Sequence, residues 1–209
     1  MIGILNYGLG NIQAFSNIYK SLDISHKIIN NCKELDSIKK IILPGVGAFD
    51  DAMNKFNQSG LRQNVEHMVL DRKVPFLGVC VGLQMLGIAS EEGKESGLGW
   101  IDSNVHLLKT SKINHKTKLP HMGWNSINIQ KKDDQIFENI NDNDRFYFLH
   151  SYYIKCKNKD NILAQTSYGD DFACAVKSGN IYGVQFHPEK SLQNGINLLL
   201  NFARINVAS

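Results

Sequence analysis

The chain has 209 residues, of which 43% are hydrophobic and 21% charged, and its formal net charge is +3. That length suits a single domain over 1–209 with a sizeable core. The small charge argues against nucleic acid or an anionic membrane as partner, and no apolar run approaches membrane-spanning length. Cys32, Cys80, Cys156 and Cys174 are widely spaced with no C-x-x-C pair. The N-terminus has no basic region ahead of its apolar residues. Reduced thiols in a cytoplasmic protein are therefore expected.

Taken in order, Ile2–Leu5 predicts a first strand, and Asn6-Tyr7-Gly8-Leu9-Gly10-Asn11 a glycine-rich turn. Ile12, Phe15, Ile18, Tyr19 and Leu22 stand at helical spacing and predict a helix over 11–22. Gln13 occupies the place of the third glycine of a dinucleotide loop, so the glycines read as a tight structural turn. Two more strands are expected at 26–29 and 40–43. The second runs into Pro44-Gly45-Val46-Gly47-Ala48-Phe49, at the strand edge where open α/β sheets bind ligands. Such a loop either presents amides to an anion or carbonyl oxygen, or is an ordinary strand-to-helix connection. A helix over 52–70 is expected next, with Leu61, Val65, Met68 and Val69 on one face.

Phe76–Val79 is apolar without alternation, as a central parallel strand buried on both faces should be. Cys80 follows, with Gly78 two residues before it and Gly82 two after. This is the pattern of a strained strand-to-helix elbow with cysteine in place of serine. A helix N-terminus behind the sulfur favours thiolate, and the Val81 amide is aimed at any oxyanion formed on attack. The plainer reading of a lone cysteine is a small buried hydrophobe. Val81, Leu83, Met85, Leu86 and Ile88 predict that the helix continues.

The first ninety residues thus alternate strand and helix, which argues for a parallel sheet with helices on both faces. From about Gly97 the signals are short strands, at 104–108, 122–129, 146–149, 152–156, 162–166, 173–177 and 181–186, reading as a mostly antiparallel meander. Lys109, Lys112, Lys116 and Lys118 mark a solvated loop. A last helix over 192–203 should turn Leu192, Ile196, Leu199 and Leu200 inward.

A nucleophilic cysteine needs a base and a group that orients it. Phe186-His187-Pro188-Glu189 supplies both at the end of a strand. Proline keeps His187 extended, so Glu189, two residues on, projects to the same side and can fix the imidazole tautomer. Cys80 is their neighbour if strand 181–186 lies beside the elbow strand. His150 sits at a strand end, and His26, His67, His106 and His115 have no evident partner in the sequence. No His/Asp/Glu cluster has metal-ligand spacing, so neither metal nor cofactor is expected.

LPGVGAF at 43–49, GVCVGLQML at 78–86, PHMGWN at 120–125 and QFHPEKS at 185–191 together resemble a class I glutamine amidotransferase. More closely, they are similar to the glutaminase subunits of imidazole glycerol phosphate synthase, and the likeness runs from NYGLGN at 6–11 to the last helix. The resemblance implies a flavodoxin-like, mainly parallel central sheet flanked by helices, with a smaller antiparallel sheet in the C-terminal half. It implies that Cys80 attacks the side-chain amide of glutamine, that His187 moves the protons and that Glu189 orients His187. The amides of Val46 and Val81 would then be the oxyanion donors, and Gln84, Glu92, Ser151 and Tyr152 would hold the amino-acid end of the substrate. The implied partner is a (β/α)8-barrel cyclase, which uses the ammonia in histidine biosynthesis to make imidazole glycerol phosphate and an aminoimidazole carboxamide ribotide. Asn11, Trp124 and the turn at His121 would face it, with a core position as the other reading of Trp124. Asn6 stands where the family usually has Asp, which bears on charge contacts at that surface and not on the chemistry. GLGWID at 97–102 and RFYFLHSYY at 145–153 also resemble paralogues that serve surface-polysaccharide sugar amidotransferases. A catalytically silent subunit and a cysteine peptidase on the same fold are weaker alternatives: the intact Cys80, His187 and Glu189 set opposes the first, and Gln84 with the PHMGWN turn opposes the second.

Overall fold

The computed structural model describes residues 1–113 and 118–206. His115 and Lys116 lie outside the described residues. The first half builds β1 (Ile2–Leu5), α1 (Ile12–Ser21), β2 (His26–Ile29), β3 (Lys40–Leu43), α2 (Phe49–Gln58), α3 (Arg62–Glu66), β4 (Phe76–Val79) and α4 (Val81–Gln84). The second half adds β5 (Ala89–Ser90), β6 (Ser103–Leu107), β7 (His121–Ser126), β8 (Asn128–Ile129), β9 (Arg145–His150), β10 (Tyr152–Cys156), β11 (Ile162–Tyr168), β12 (Asp170–Ser178), β13 (Ile181–Val184) and α5 (Leu192–Arg204).

Eight strands form one sheet in the order β2-β1-β3-β4-β13-β12-β11-β8. The first five pair in parallel and the last three continue antiparallel. Two small sheets, β10-β6-β5 and β7-β9, stand beside it. The antiparallel strands expected in the second half are therefore shared between the edge of the main sheet and these two. Alternation along each central strand feeds two cores. Ile42, Leu77 and Val79 pack under α1 and α5, with Phe15, Tyr19, Leu199 and Phe202. Ile41, Leu43 and Phe76 pack under α2, α3 and α4, with Phe49, Met53, Phe56 and Leu83.

Several expected elements come out differently. The helix expected over 52–70 starts at Phe49 and breaks at Ser59-Gly60, where Gly60 has φ +72°. It resumes at Arg62 and ends in one π turn, His67–Asp71. The elbow helix lasts only from Val81 to Gln84, because the chain then turns to place β5 beside β6. The strand expected over 122–129 is two strands, since β7 pairs with β9 while β8 joins β11 in the main sheet. In α5, Leu192 has φ +49° and is 73% exposed; Leu198 and Phe202, with Leu199, make the buried stripe. The glycine turn after β1 is structural as expected: Gly8 and Gly10 both have φ +97°, and a Cβ on Gly10 would meet Pro44 at 2.6 Å. Among the described residues, no helix is long and apolar enough to cross a membrane.

Candidate active site

The carboxyl ends of β1, β3, β4 and β13 lie side by side along one edge of the sheet, where open α/β folds place their ligands. The ends of β3, β4 and β13 lead into Val46, Cys80 and His187 of the site. β4 ends at Cys80, whose φ of +56° and ψ of −113° lie in a region L-residues rarely occupy, at a cost of about 1–3 kcal/mol. Backbone packing enforces this turn. The Cys80 amide donates to Val184 O at 2.8 Å, and a Cβ on Gly82 would collide with the carbonyl oxygen of Leu43. A Cβ on Gly78 would lie 2.5 Å from Gly82 O. Both glycines of the elbow are thus required by close approach.

β13 runs parallel to β4 in the register Val184 to Val79, which brings His187 alongside Cys80. His187 is extended, at φ −99° and ψ 96°, and Pro188–Lys190 form a single 3₁₀ turn. Glu189 therefore reaches back from a turn, not along an extended strand, and its Oε1 lies 2.9 Å from His187 Nδ1. Both side chains are buried. Burial alone would lower the pKa of His187; hydrogen bonds to Cys80 and Glu189 and their negative charge reverse this and hold it up at about 10. His187 N–H donates to Tyr147 O at 2.8 Å, and Ser191 Oγ donates to His187 O at 2.6 Å while accepting from Tyr147 N at 3.0 Å. The catalytic turn is thereby clamped to β9.

A cavity of about 260 Å³ opens over the sulfur. Val46, Cys80, Val81, Gln84, Glu92, Ser151, Tyr152 and His187 all line it. Gln84 Nε2 donates to Tyr152 O at 3.0 Å and to Gln185 Oε1 at 3.1 Å. Both of its N–H groups are thus committed inward, and its Oε1 is the atom it can offer a ligand. Glu92 Oε2 accepts from Phe49 N at 2.9 Å, fixing the carboxylate at the start of α2. Val46 is 37% exposed in the loop over the cavity, next to Gly47 with φ +95°.

The structure corrects the reading of His121. It is buried on β7, stacked between Phe148 and Tyr168, and its Nδ1 lies 3.0 Å from His150 Nε2. Its ring is packed inside the fold against β9 and β11. Asn11 is exposed, and Trp124 is 40% exposed with its ring edge-on to Tyr147 at 6.2 Å, so the core reading of Trp124 fails. Lys190 Nζ lies 5.7 Å from the Tyr147 ring centroid, and Met122, on β7, is 65% exposed. Three histidines without an evident partner have one: His26 meets Ser16 at 2.9 Å, His67 meets Asp71 at 2.8 Å and His106 meets Glu91 at 2.8 Å.

Sequence reasoning missed His150, Gln185, Leu149 and Ser191. His150 lines the cavity, and its Nδ1 lies 2.8 Å from Tyr152 O. Burial, with the charges of His121 and His187, lowers its pKa to about 3. Gln185 could have been noticed as a polar residue inside an otherwise apolar strand end. Among the described residues, no group of His, Cys, Asp or Glu could hold a metal ion.

The chain belongs to the class I glutamine amidotransferases, whose family model matches residues 4–205. It is similar over its whole length to two solved structures, a glutamine amidotransferase (TM-score 0.73, 18% identity, 98% of this chain and 99% of that one) and PurLQS from Thermotoga maritima (TM-score 0.70, 17% identity, 96% of each). It is 48% identical over 205 residues to the imidazole glycerol phosphate synthase subunit HisH of Leptospira borgpetersenii, covering 98% of this chain and 100% of that one. The HisH subunit of Bdellovibrio bacteriovorus is also 48% identical, and subunit HisH 2 of Pseudomonas aeruginosa 42%, each at 98% and 100% coverage. Within the class, then, this chain is a member of the HisH subunit family.

Proposed function

We propose that this chain is the glutaminase subunit of imidazole glycerol phosphate synthase, with Cys80, His187 and Glu189 as its catalytic residues. The observation that carries this reading is the assembled set: a strained cysteine at a helix start, a buried histidine lining the same cavity, and a buried carboxylate that holds that histidine. His187 takes the Cys80 proton, and the thiolate attacks the side-chain carbonyl carbon of glutamine. The Val81 amide, joined by that of Val46, receives the oxyanion. Imidazolium gives its proton to the departing nitrogen, which leaves as ammonia, and a thioester remains on Cys80. His187 then deprotonates a water that attacks the thioester, and glutamate leaves as the sulfur recovers its proton. Glu92, the Oε1 of Gln84 and the Ser151-Tyr152 backbone hold the substrate's amino-acid end.

Ammonium is no nucleophile, so the ammonia has to reach its acceptor by a shielded path. The partner in this reading is a (β/α)8-barrel cyclase of histidine biosynthesis, in the cytoplasm. Trp124, Met122 and Tyr147, with Lys190 and exposed Asn11, supply an amphipathic docking face of the kind that anchors interfaces. The three relatives above are named for this synthase, and none of them for a surface-polysaccharide acceptor. The test is glutamine hydrolysis with and without the cyclase subunit and its phosphoribulosyl substrate. Stimulation of at least about fivefold, the low end of ordinary allosteric coupling, is expected, with no hydrolysis by Cys80→Ala in either condition. A rate indifferent to the cyclase would remove the histidine-pathway acceptor.

A further inference from the structure

We propose that Gln185 is a positioning residue for the nucleophile: its buried side-chain amide donates a hydrogen bond to the Cys80 sulfur and favours the thiolate. This rests on Cys80 being the nucleophile. Gln185 follows β13 directly, between Val184 and Phe186, and is 0% exposed. An amide buried so completely has to spend its hydrogens on partners. Its Nε2 lies 3.8 Å from Cys80 Sγ, and its Oε1 accepts from Gln84 Nε2.

Which end of the amide meets the sulfur is dictated two links away. The Tyr152 carbonyl can only accept, and it accepts from Gln84 at 3.0 Å, so the Gln84 atom there is nitrogen. The same nitrogen sends its other hydrogen to Gln185, whose facing atom must be oxygen. Nitrogen is left against the sulfur.

The sulfur's other close neighbour asks for the opposite protonation state. Leu149 O lies 3.8 Å from Cys80 Sγ, where it accepts from a thiol and repels a thiolate. His187 takes the thiol proton and leaves a thiolate facing that carbonyl, both before attack and again when the thioester breaks down. The Gln185 N–H is a fixed donor that persists through both half-reactions, and a donor to a charged acceptor stabilises the charged form. Chain order supports the same economy of parts: Gln185 and His187 come from one strand end, so the donor and the base are set against the sulfur by a single register.

The experiment is the pH dependence of Cys80 alkylation by iodoacetamide, followed peptide by peptide so that Cys32, Cys156 and Cys174 do not contribute. Gln185→Met keeps the volume and removes the donor; Gln185→Glu puts an oxygen at the sulfur. We expect the Met variant to raise the midpoint of thiolate formation by about one pH unit, so that alkylation at neutral pH slows roughly tenfold, and the Glu variant to raise it further. A midpoint unchanged in folded Gln185→Met overturns the proposal. Wild-type protein gives an answer that does not depend on either variant folding. The Gln185 side-chain amide resonances should shift with the Cys80 thiol titration and cease to do so in Cys80→Ala; resonances indifferent to that titration would equally overturn it. Glutamine hydrolysis surviving in Cys80→Ala would instead overturn the nucleophile assignment itself, whatever Gln185 does.

Discussion

Glu189 shows how much of the chemistry one residue sets. It meets the buried His187 Nδ1 at 2.9 Å, and with Cys80 it holds the histidine pKa at about 10 against the effect of burial. Glu189→Gln keeps the shape and removes the charge, so imidazolium loses its stabilising partner. A raised pKa that depends on that charge must fall. Ammonia departure needs the proton on His187, so the alkaline limb of the rate profile should move to lower pH in the variant. The rate at neutral pH should drop by a factor on the order of 10²–10⁴, the scale seen when the carboxylate of a comparable triad is neutralised. The check is the pH–rate profile of glutamine hydrolysis by the stimulated complex. An alkaline limb that stays in place would mean that Glu189 is structural. This pair was legible in the sequence because proline fixes the backbone next to His187. The 3₁₀ turn that swings Glu189 back was not, since that turn depends on Ser191 tying His187 and Tyr147 together across 44 residues of sequence.

At the scale of the element, the elbow is held by the absence of two Cβ atoms. β3 and α4 approach until the Leu43 carbonyl occupies the space a side chain on Gly82 would need, and both groups are backbone. Neither can move without shifting the register that also sets Cys80. Gly82→Ala should therefore destabilise the chain by about 1–3 kcal/mol, the usual cost of overpacking. For a chain of this size that lowers Tm by roughly 3–10 °C. Calorimetry checks it, and a Tm within 1 °C of wild type would show that the close approach relaxes freely, since about 0.5 kcal/mol is the most such a change can hide. The same elements show what sequence patterns can carry. β1, β3 and β4 are short, mostly apolar segments buried on both faces, and their boundaries come straight from hydropathy. The elbow helix reads too long because Met85 and Leu86 are buried by tertiary packing and not by helical periodicity. β7 and β8 read as one strand because nothing local marks the point at which the chain leaves one sheet for another. His121 reads as a surface turn for the same reason: its burial comes from Phe148 and Tyr168, which lie far along the chain.

At the scale of the whole molecule, His187 and His150 act on stability with opposite sign, in separate pH windows. His187 has a raised pKa, so the stability it contributes is fully present below its unfolded value and is lost as pH rises toward about 10. His150 has a lowered pKa, near 3, because burial and the neighbouring His121 and His187 disfavour its charged form. The unfolded chain binds a proton at this histidine below about pH 6.5, whereas the folded chain does not, so folding stability must fall as pH drops through that range. His150 accepts from His121 through Nε2 and donates through Nδ1 to the Tyr152 carbonyl, so the His150 ring is needed neutral to complete the chain that ends at Gln84. Carboxylates such as Asp50, Glu91 and Asp142, whose pKa values are lowered by hydrogen bonds, lose their contribution only in more acidic solution. Between pH 6.5 and 5 the loss should therefore come from the buried histidine, at up to about 1.4 kcal/mol per pH unit, or about 3–5 °C in Tm. His150→Phe, in a pocket already lined by Phe148 and Phe172, removes the titration and should flatten that part of the curve even though it lowers Tm at pH 7. Melting curves of both proteins at half-unit steps from pH 7 to 5 decide it: parallel slopes would mean that the neutral imidazole chain is not what the acid side of the stability curve reports.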